Sequence, residues 1–285
     1  MSHLPRTVRE VQHRLARSWN LHRLTFHRHP HLASISYSVR AALKRSFTLE
    51  EKTWIDRIES LRRDMSASTS RVTRTDYGAG NPDSNRTEEN MRAGVEVVAT
   101  LGHITRIASK SAFWCSLLFK LIRTLRPTSC IEMGTAVGVS AAYQAAALTL
   151  NGHGTLLTLE GATSLADIAK KNFQQLGLDT VAVVVGPFQD TLPTILQGSH
   201  PVDYVFVDGH HDEQATLAYF EQLLPFLADN ACLVFDDIAW SEGMKRAWNS
   251  IASDRRVGIA VDLGAVGLCL LQHSNAGRKY FNVPL

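Results

Sequence analysis

The 285-residue chain is 45% apolar and 20% charged, within the range of soluble globular proteins. Its richest apolar stretch, Ser111 to Ile122, carries Lys120 and falls short of the roughly 20 residues a bilayer span needs, so no membrane partner is expected. The net charge of +3 is uneven: residues 1–49 hold nine Lys and Arg against the single acid Glu10, which leaves the remainder acidic.

A start this basic could serve as a nucleic-acid arm or an organellar transit peptide. It also holds six of the twelve histidines and an interrupted helical pattern. That favours a basic helical appendage that packs either on the acidic body or on a second subunit, the latter giving a homodimer through the N-terminal helices. Apolar residues recur every three or four positions from Val8 to Leu24 and from Ile35 to Leu43, which predicts two helices joined at Pro30. Leu49 to Met65 predicts another. Ser66 to Asn90 loses the period and reads as a long loop, with Asp76-Tyr77-Gly78-Ala79-Gly80 either a lid over a pocket or part of a disordered connector. Helical character returns from Met91 to Leu125. Residues 1–125 are therefore expected to form a helical region with a loop at 66–90, and residues 126–285 the main domain.

Beyond Pro127, strand-like runs at Cys130–Met133, Thr155–Leu159, Val181–Val185, Asp203–Val207 and Cys232–Phe235 alternate with helical segments near Val139–Leu150, Ser164–Leu176, Thr191–Leu196, Glu213–Leu227 and Ser241–Ser253. Such alternation requires a parallel sheet, because each crossover needs a helix to return the chain. Val257–Asp262 and Val266–Leu271 are separated by only Leu263-Gly264-Ala265 and must form an antiparallel hairpin, expected at the sheet edge. Cys115, Cys130, Cys232 and Cys269 form no C-x-x-C pair and lie in mostly apolar surroundings, which suits free thiols in a reducing, cytoplasmic compartment.

Ligands of open α/β sheets bind at the C-terminal strand ends. The first such end reads Glu132-Met133-Gly134-Thr135-Ala136-Val137-Gly138, a glycine turn that is not the G-x-G-x-x-G of dinucleotide enzymes. Glu160 and Gly161 end the second strand, where a carboxylate could accept from both hydroxyls of a ribose or simply cap the next helix. Phe188 and Gln189 follow the third strand, Asp208-Gly209-His210-His211-Asp212 the fourth, and Asp236-Asp237 the fifth, with Trp240 beside the acidic pair.

Taken in order, these motifs resemble those of class I S-adenosylmethionine-dependent methyltransferases, in particular the small-molecule O-methyltransferase branches. The resemblance covers roughly residues 126–272. It implies a Rossmann-like, doubly wound, mostly parallel seven-stranded sheet with an antiparallel C-terminal hairpin. It further implies S-adenosyl-L-methionine as cofactor, with Glu132, Gly134, Thr135, Gly138, Glu160, Gly161, Phe188, Gln189 and Asp208 around it. Asp208, Asp236 and Asp237 stand where metal-dependent relatives hold a magnesium-type ion, Asp237 replacing their usual Asn, although Asp236 or Asp237 could instead cap the following helix or contact Lys245 and Arg246. His211 stands where relatives carry a base, with His210 its competitor and Asp208 beside both. The implied acceptor is a small molecule; the acidic main domain, without a basic-aromatic stripe, speaks against nucleic acid. Two other readings stay open: a scaffold or RNA-binding protein working through the basic N-terminus, and another nucleotide-dependent α/β enzyme.

Overall fold

The computed structural model describes residues 19–25, 29–80, 86–198, 201–271 and 278–285. Most of the expected Val8–Leu24 helix lies outside the described residues; its end is helical at 19–25. Next come α1 (Pro30–Lys44) and α2 (Leu49–Ala67). α2 starts at a capping box: Thr48 Oγ1 accepts from Glu51 N, and Glu51 Oε2 accepts from Thr48 N.

Residues 66–125 depart from the expectation of a loop followed by continuous helix. β1 (Arg71–Asp76) pairs antiparallel with β2 (Val95–Thr100), with the short α3 (Glu88–Ala93) between them. α4 (Leu101–Ala108) and α5 (Ala112–Leu125) follow. Arg71-Val-Thr-Arg-Thr-Asp has no strong apolar face and none of its residues is fully buried, so the pairing with a distant partner makes it a strand. Gly94, at φ +78°, ends α3 and turns the chain into β2.

The main sheet contains β3 (Ser129–Met133), β4 (Thr155–Glu160), β5 (Val181–Val185), β6 (Val202–Val207), β7 (Leu227–Phe235), β8 (Val257–Asp262), β9 (Gly267–Leu271) and β10 (Lys279–Asn282). Its order is β10-β8-β9-β7-β6-β3-β4-β5. Eight strands replace the expected seven, because Lys-Tyr-Phe-Asn adds in parallel to β8 with only Phe281 buried, too little for a sequence signal. The hairpin β8–β9 forms as expected, but β10 takes the edge. The crossover helices are α6 (Val139–Asn151), α7 (Thr163–Leu176), α8 (Phe188–Gly198), α9 (Glu213–Leu223) and α10 (Glu242–Ser253). β3 has β4 on one side and β6 on the other, so the strand order reverses there and opens the crevice in which such sheets bind ligands.

Both faces of the sheet are covered. Along β6, Tyr204 and Phe206 join one core and Val205 and Val207 the other; β7 splits Cys232 and Val234 from Leu233 and Phe235 in the same way. The first core also takes Leu32, Ile35 and Val39 of α1 and Ile58, Leu61 and Met65 of α2, so the N-terminal helices share the core of the main domain. α6 lies between them and the sheet, and its Ala-rich sequence is accordingly buried on almost every side. No helix among the described residues is long and apolar enough to cross a membrane.

Candidate active site

The glycine turn after β3 closes against the ends of β4 and β6. Gly134 N and Thr135 N donate to Leu159 O. Gly134 adopts φ +113°, and a Cβ there would lie 1.9 Å from Asp208 O, so no other residue fits. Glu160, at the tip of β4, turns its carboxylate into this bend: Oε2 accepts from Ala136 N at 2.7 Å and Oε1 from Ala162 N at 2.9 Å. Burial raises its pKa to about 7, against the pull of those two N–H groups and of Arg74. The Glu160 carboxylate and the glycine turn therefore meet at one point.

Other candidates face inward. Glu132 is fully buried; Gln144 Nε2 donates to its Oε1 at 2.7 Å and Thr158 Oγ1 to its Oε2 at 2.5 Å. Thr135 Oγ1 lies 2.6 Å from Thr158 Oγ1 in the same network. These two brace the turn from behind. Gly138 packs against the Phe173 ring, and Phe188 packs over Gly209, His210 and Tyr219, while Gln189 is exposed in the first turn of α8.

The two histidines separate cleanly. His210 is buried with its Nδ1 2.7 Å from Tyr219 Oη, and burial lowers its pKa. His211 is partly open, with Nε2 3.8 Å from Asp208 and Nδ1 3.8 Å from Asp237; its ring centroid is 6.4 Å from that of the half-exposed Trp240. Of six non-glycine residues with positive φ among the described residues, four belong here: Ala136, His210, His211 and Asp237. Such backbone costs roughly 1–2 kcal/mol per residue and persists where the surroundings hold it.

Asp208, Asp236 and Asp237 do come together, around a group the sequence reading missed. Lys110, in the turn between α4 and α5, places Nζ in contact with Asp236 Oδ2, 3.4 Å from Asp237 Oδ1 and 3.8 Å from Asp208 Oδ1. Burial raises the Asp208 carboxyl above its ordinary range, with Lys110 and His211 opposing and Asp237 adding to the rise. A divalent cation needs an open set of oxygens, and here an ammonium already stands among them. Among the described residues no group of three or more His, Cys, Asp or Glu side chains is arranged to hold a metal ion. With Lys110 seated among them, the expected magnesium ligands do not fit that ion.

The expected loop contributes a strap across the mouth. Ala79 N donates to His210 O at 3.0 Å, and Arg86 holds both Gly78 O and Asp76. The Tyr77 ring covers Gly161, where a Cβ would come within 2.5 Å of it. Segment 76–80 thus runs from the end of β4 to the end of β6. A cleft of about 540 Å³ at the opposite end of the sheet, lined by His31, Arg126, Thr128, Asp203 and Asn230, gathers no comparable set of groups.

Residues 131–238 match the model of a family described as "Methyltransferase domain". A catechol O-methyltransferase of Mycobacterium tuberculosis is 34% identical over 147 residues, 51% of this chain and 62% of that protein. The O-methyltransferase TomG of Streptomyces achromogenes, involved in tomaymycin synthesis and solved in complex with SAM, superposes with a TM-score of 0.50 at 28% identity, over 58% of this chain and 82% of that one. A cofactor-bound protein from MTB gives a TM-score of 0.52 at 26% identity, over 59% and 84%. The chain spans less than two thirds of the length of the curated relatives it matches.

Proposed function

Starting from a chain that is class I S-adenosylmethionine O-methyltransferase-like, with a methyltransferase domain at residues 131–238, we propose that it methylates a small molecule at oxygen. The observation that carries this is the meeting of the Glu160 carboxylate with the glycine turn at Ala136, one strand away from Asp208 and His211. S-adenosylmethionine supplies an electrophilic methyl carbon on a positively charged sulfur. The residues suit it: the strand ends present carboxylates, which favour vicinal hydroxyls and a cation and would repel the pyrophosphate of a dinucleotide. Glu160 would hold the ribose, and the backbone at Gly134 the methionine part. Tyr77, over Gly161, would shield the cofactor from water.

His211 is the group placed to take the acceptor's proton, since it is partly open while His210 is committed to Tyr219. Its ring lies between Asp208 and Asp237, 3.8 Å from each. Trp240 beside it offers an apolar face to the acceptor. Lys110 among the three carboxylates supports a transfer without a divalent ion.

Calorimetric titration with S-adenosylhomocysteine and, separately, with NAD tests the cofactor assignment. Binding of the former alone is expected, weakened about 10- to 100-fold in Glu160→Ala; affinity for NAD alone would overturn the reading. His211→Ala is expected to keep that affinity and to lose roughly 10²–10⁴-fold in transfer rate, and an unchanged rate would remove it as the base. Trp19, Tyr37 and Leu49, exposed on the N-terminal helices, support pairing of two chains there, which sedimentation velocity reads. Four buried free cysteines support a reducing, cytoplasmic setting.

A further inference from the structure

We propose that the ammonium group of Lys110 is the resident cation of this site: it takes the place that Asp208, Asp236 and Asp237 would offer a divalent metal and positions the acceptor oxygen during transfer. The second half rests on the methyltransferase reading above; the first stands on geometry alone.

The three carboxylates come from two adjacent strand ends, Asp208 after β6 and Asp236 and Asp237 after β7, and Asp208 and Asp236 are almost closed to solvent. Left without a cation they would repel one another. Lys110 reaches them from outside the sheet, and it is held there. α4 before it is anchored where Gly102 N donates to Ser68 O and Arg106 Nη1 to Ser66 O, and where Ile104 is buried. α5 after it is anchored through Cys115, Leu117 and Leu118 in the core. A lysine between two packed helices is delivered to the carboxylates by the fold.

Lys110 and His211 share their neighbours. Both lie within 3.8 Å of Asp208 Oδ1, and both approach Asp237, at 3.4 Å and 3.8 Å. Only Asp236 touches the ammonium; Asp208 and Asp237 feel its charge at distances beyond a normal hydrogen bond, which leaves N–H donors for another oxygen. That pairing suits an acceptor with an ionisable hydroxyl, such as a phenol. His211 takes the hydroxyl proton and Lys110 holds the oxygen's negative charge. The O–CH₃ bond forms as the carbon–sulfur bond breaks, leaving the demethylated cofactor and a protonated imidazole that solvent relieves.

Manganese(II) titration followed by electron paramagnetic resonance tests the proposal without any acceptor. The wild-type chain is expected to bind no stoichiometric Mn²⁺. Lys110→Met should gain one site, at least about tenfold tighter than any wild-type binding, and Lys110→Arg should gain none. Asp236→Asn added to Lys110→Met should abolish the new site. S-adenosylhomocysteine binding by the same samples reports that each variant is folded; its absence in the wild type would remove the methyltransferase reading without altering the cation result. Stoichiometric Mn²⁺ on the wild type overturns the proposal, whether or not the variants fold. So does a Lys110→Met protein that binds S-adenosylhomocysteine and gains no Mn²⁺.

Discussion

Lys120 and Lys110 both leave the N-terminal helical region to meet carboxylates, and the two meetings differ in balance. Lys120 Nζ lies 2.5 Å from Glu51 Oε2, with Arg123 on the other oxygen at 3.4 Å and the Phe47 ring 5.0 Å away. Burial alone would raise the Glu51 carboxyl, but Lys120, the Thr48 N–H and Arg123 outweigh it and hold it below its ordinary range. The single carboxylate there is answered by two cations, next to the capping box that starts α2. Lys110, by contrast, faces three carboxylates at the rim of a crevice, Asp237 on positive-φ backbone, and the Asp208 carboxyl is raised there. A matched buried pair serves the fold; an unmatched cluster leaves charge for a ligand or a reaction to use.

The largest effect should come from breaking the matched pair. Lys120→Met leaves Glu51 buried with Arg123 alone and is expected to cost roughly 3–5 kcal/mol in urea unfolding, while S-adenosylhomocysteine affinity of the folded protein stays unchanged. A drop in that affinity would mean that the two clusters are not separate.

Glu132 sharpens the comparison because it is a buried carboxyl with no cation. Burial raises it to about 7, above the ordinary 4.5, despite hydrogen bonds from Thr158 and Gln144. A group raised on folding keeps its proton in the native state while the unfolded chain releases it. Its contribution to stability is therefore full below about pH 4.5 and is lost as pH rises through about 7. The loss amounts to about 3 kcal/mol. Glu132→Gln should abolish that part of the stability–pH profile and leave the protein more stable than wild type at pH 8. Unfolding midpoints across pH 4–8 read it, and an unaltered profile would assign the dependence elsewhere.

At the small end, Glu213→Gln opens the exposed fork between Arg246 and Glu213 and is expected to leave the urea midpoint unchanged within error. A clear shift would show that an exposed pair between α9 and α10 carries more stability than its exposure suggests.

The strand–helix alternation from Cys130 to Leu271 could be read from the sequence because each strand is a short, largely apolar run with its own flanking turn. The strand-end residues Glu160, Asp208, His211 and Asp236 could be read for the same reason: a parallel sheet puts all such ends on one side, so local position implies shared location. That logic could not tell the two histidines apart, since only the contact of Tyr219 with His210 decides between them. It also gave Glu132 and Thr135 the same standing as Glu160, although the first two side chains turn inward.

What the sequence determined by itself was thus the periodic part: elements, their order, and the motifs tied to strand ends. The tertiary structure alone decided what depends on distant partners. β1 is a strand because β2 pairs with it, β10 because β8 does, and Tyr77 is a cover because it lands on Gly161. Lys110, in the unremarkable Ser-Lys-Ser between two helices and roughly a hundred residues from Asp208, has no periodicity or spacing that announces it. Its role follows from where two packed helices aim one flexible side chain, a through-space relation that no local pattern encodes.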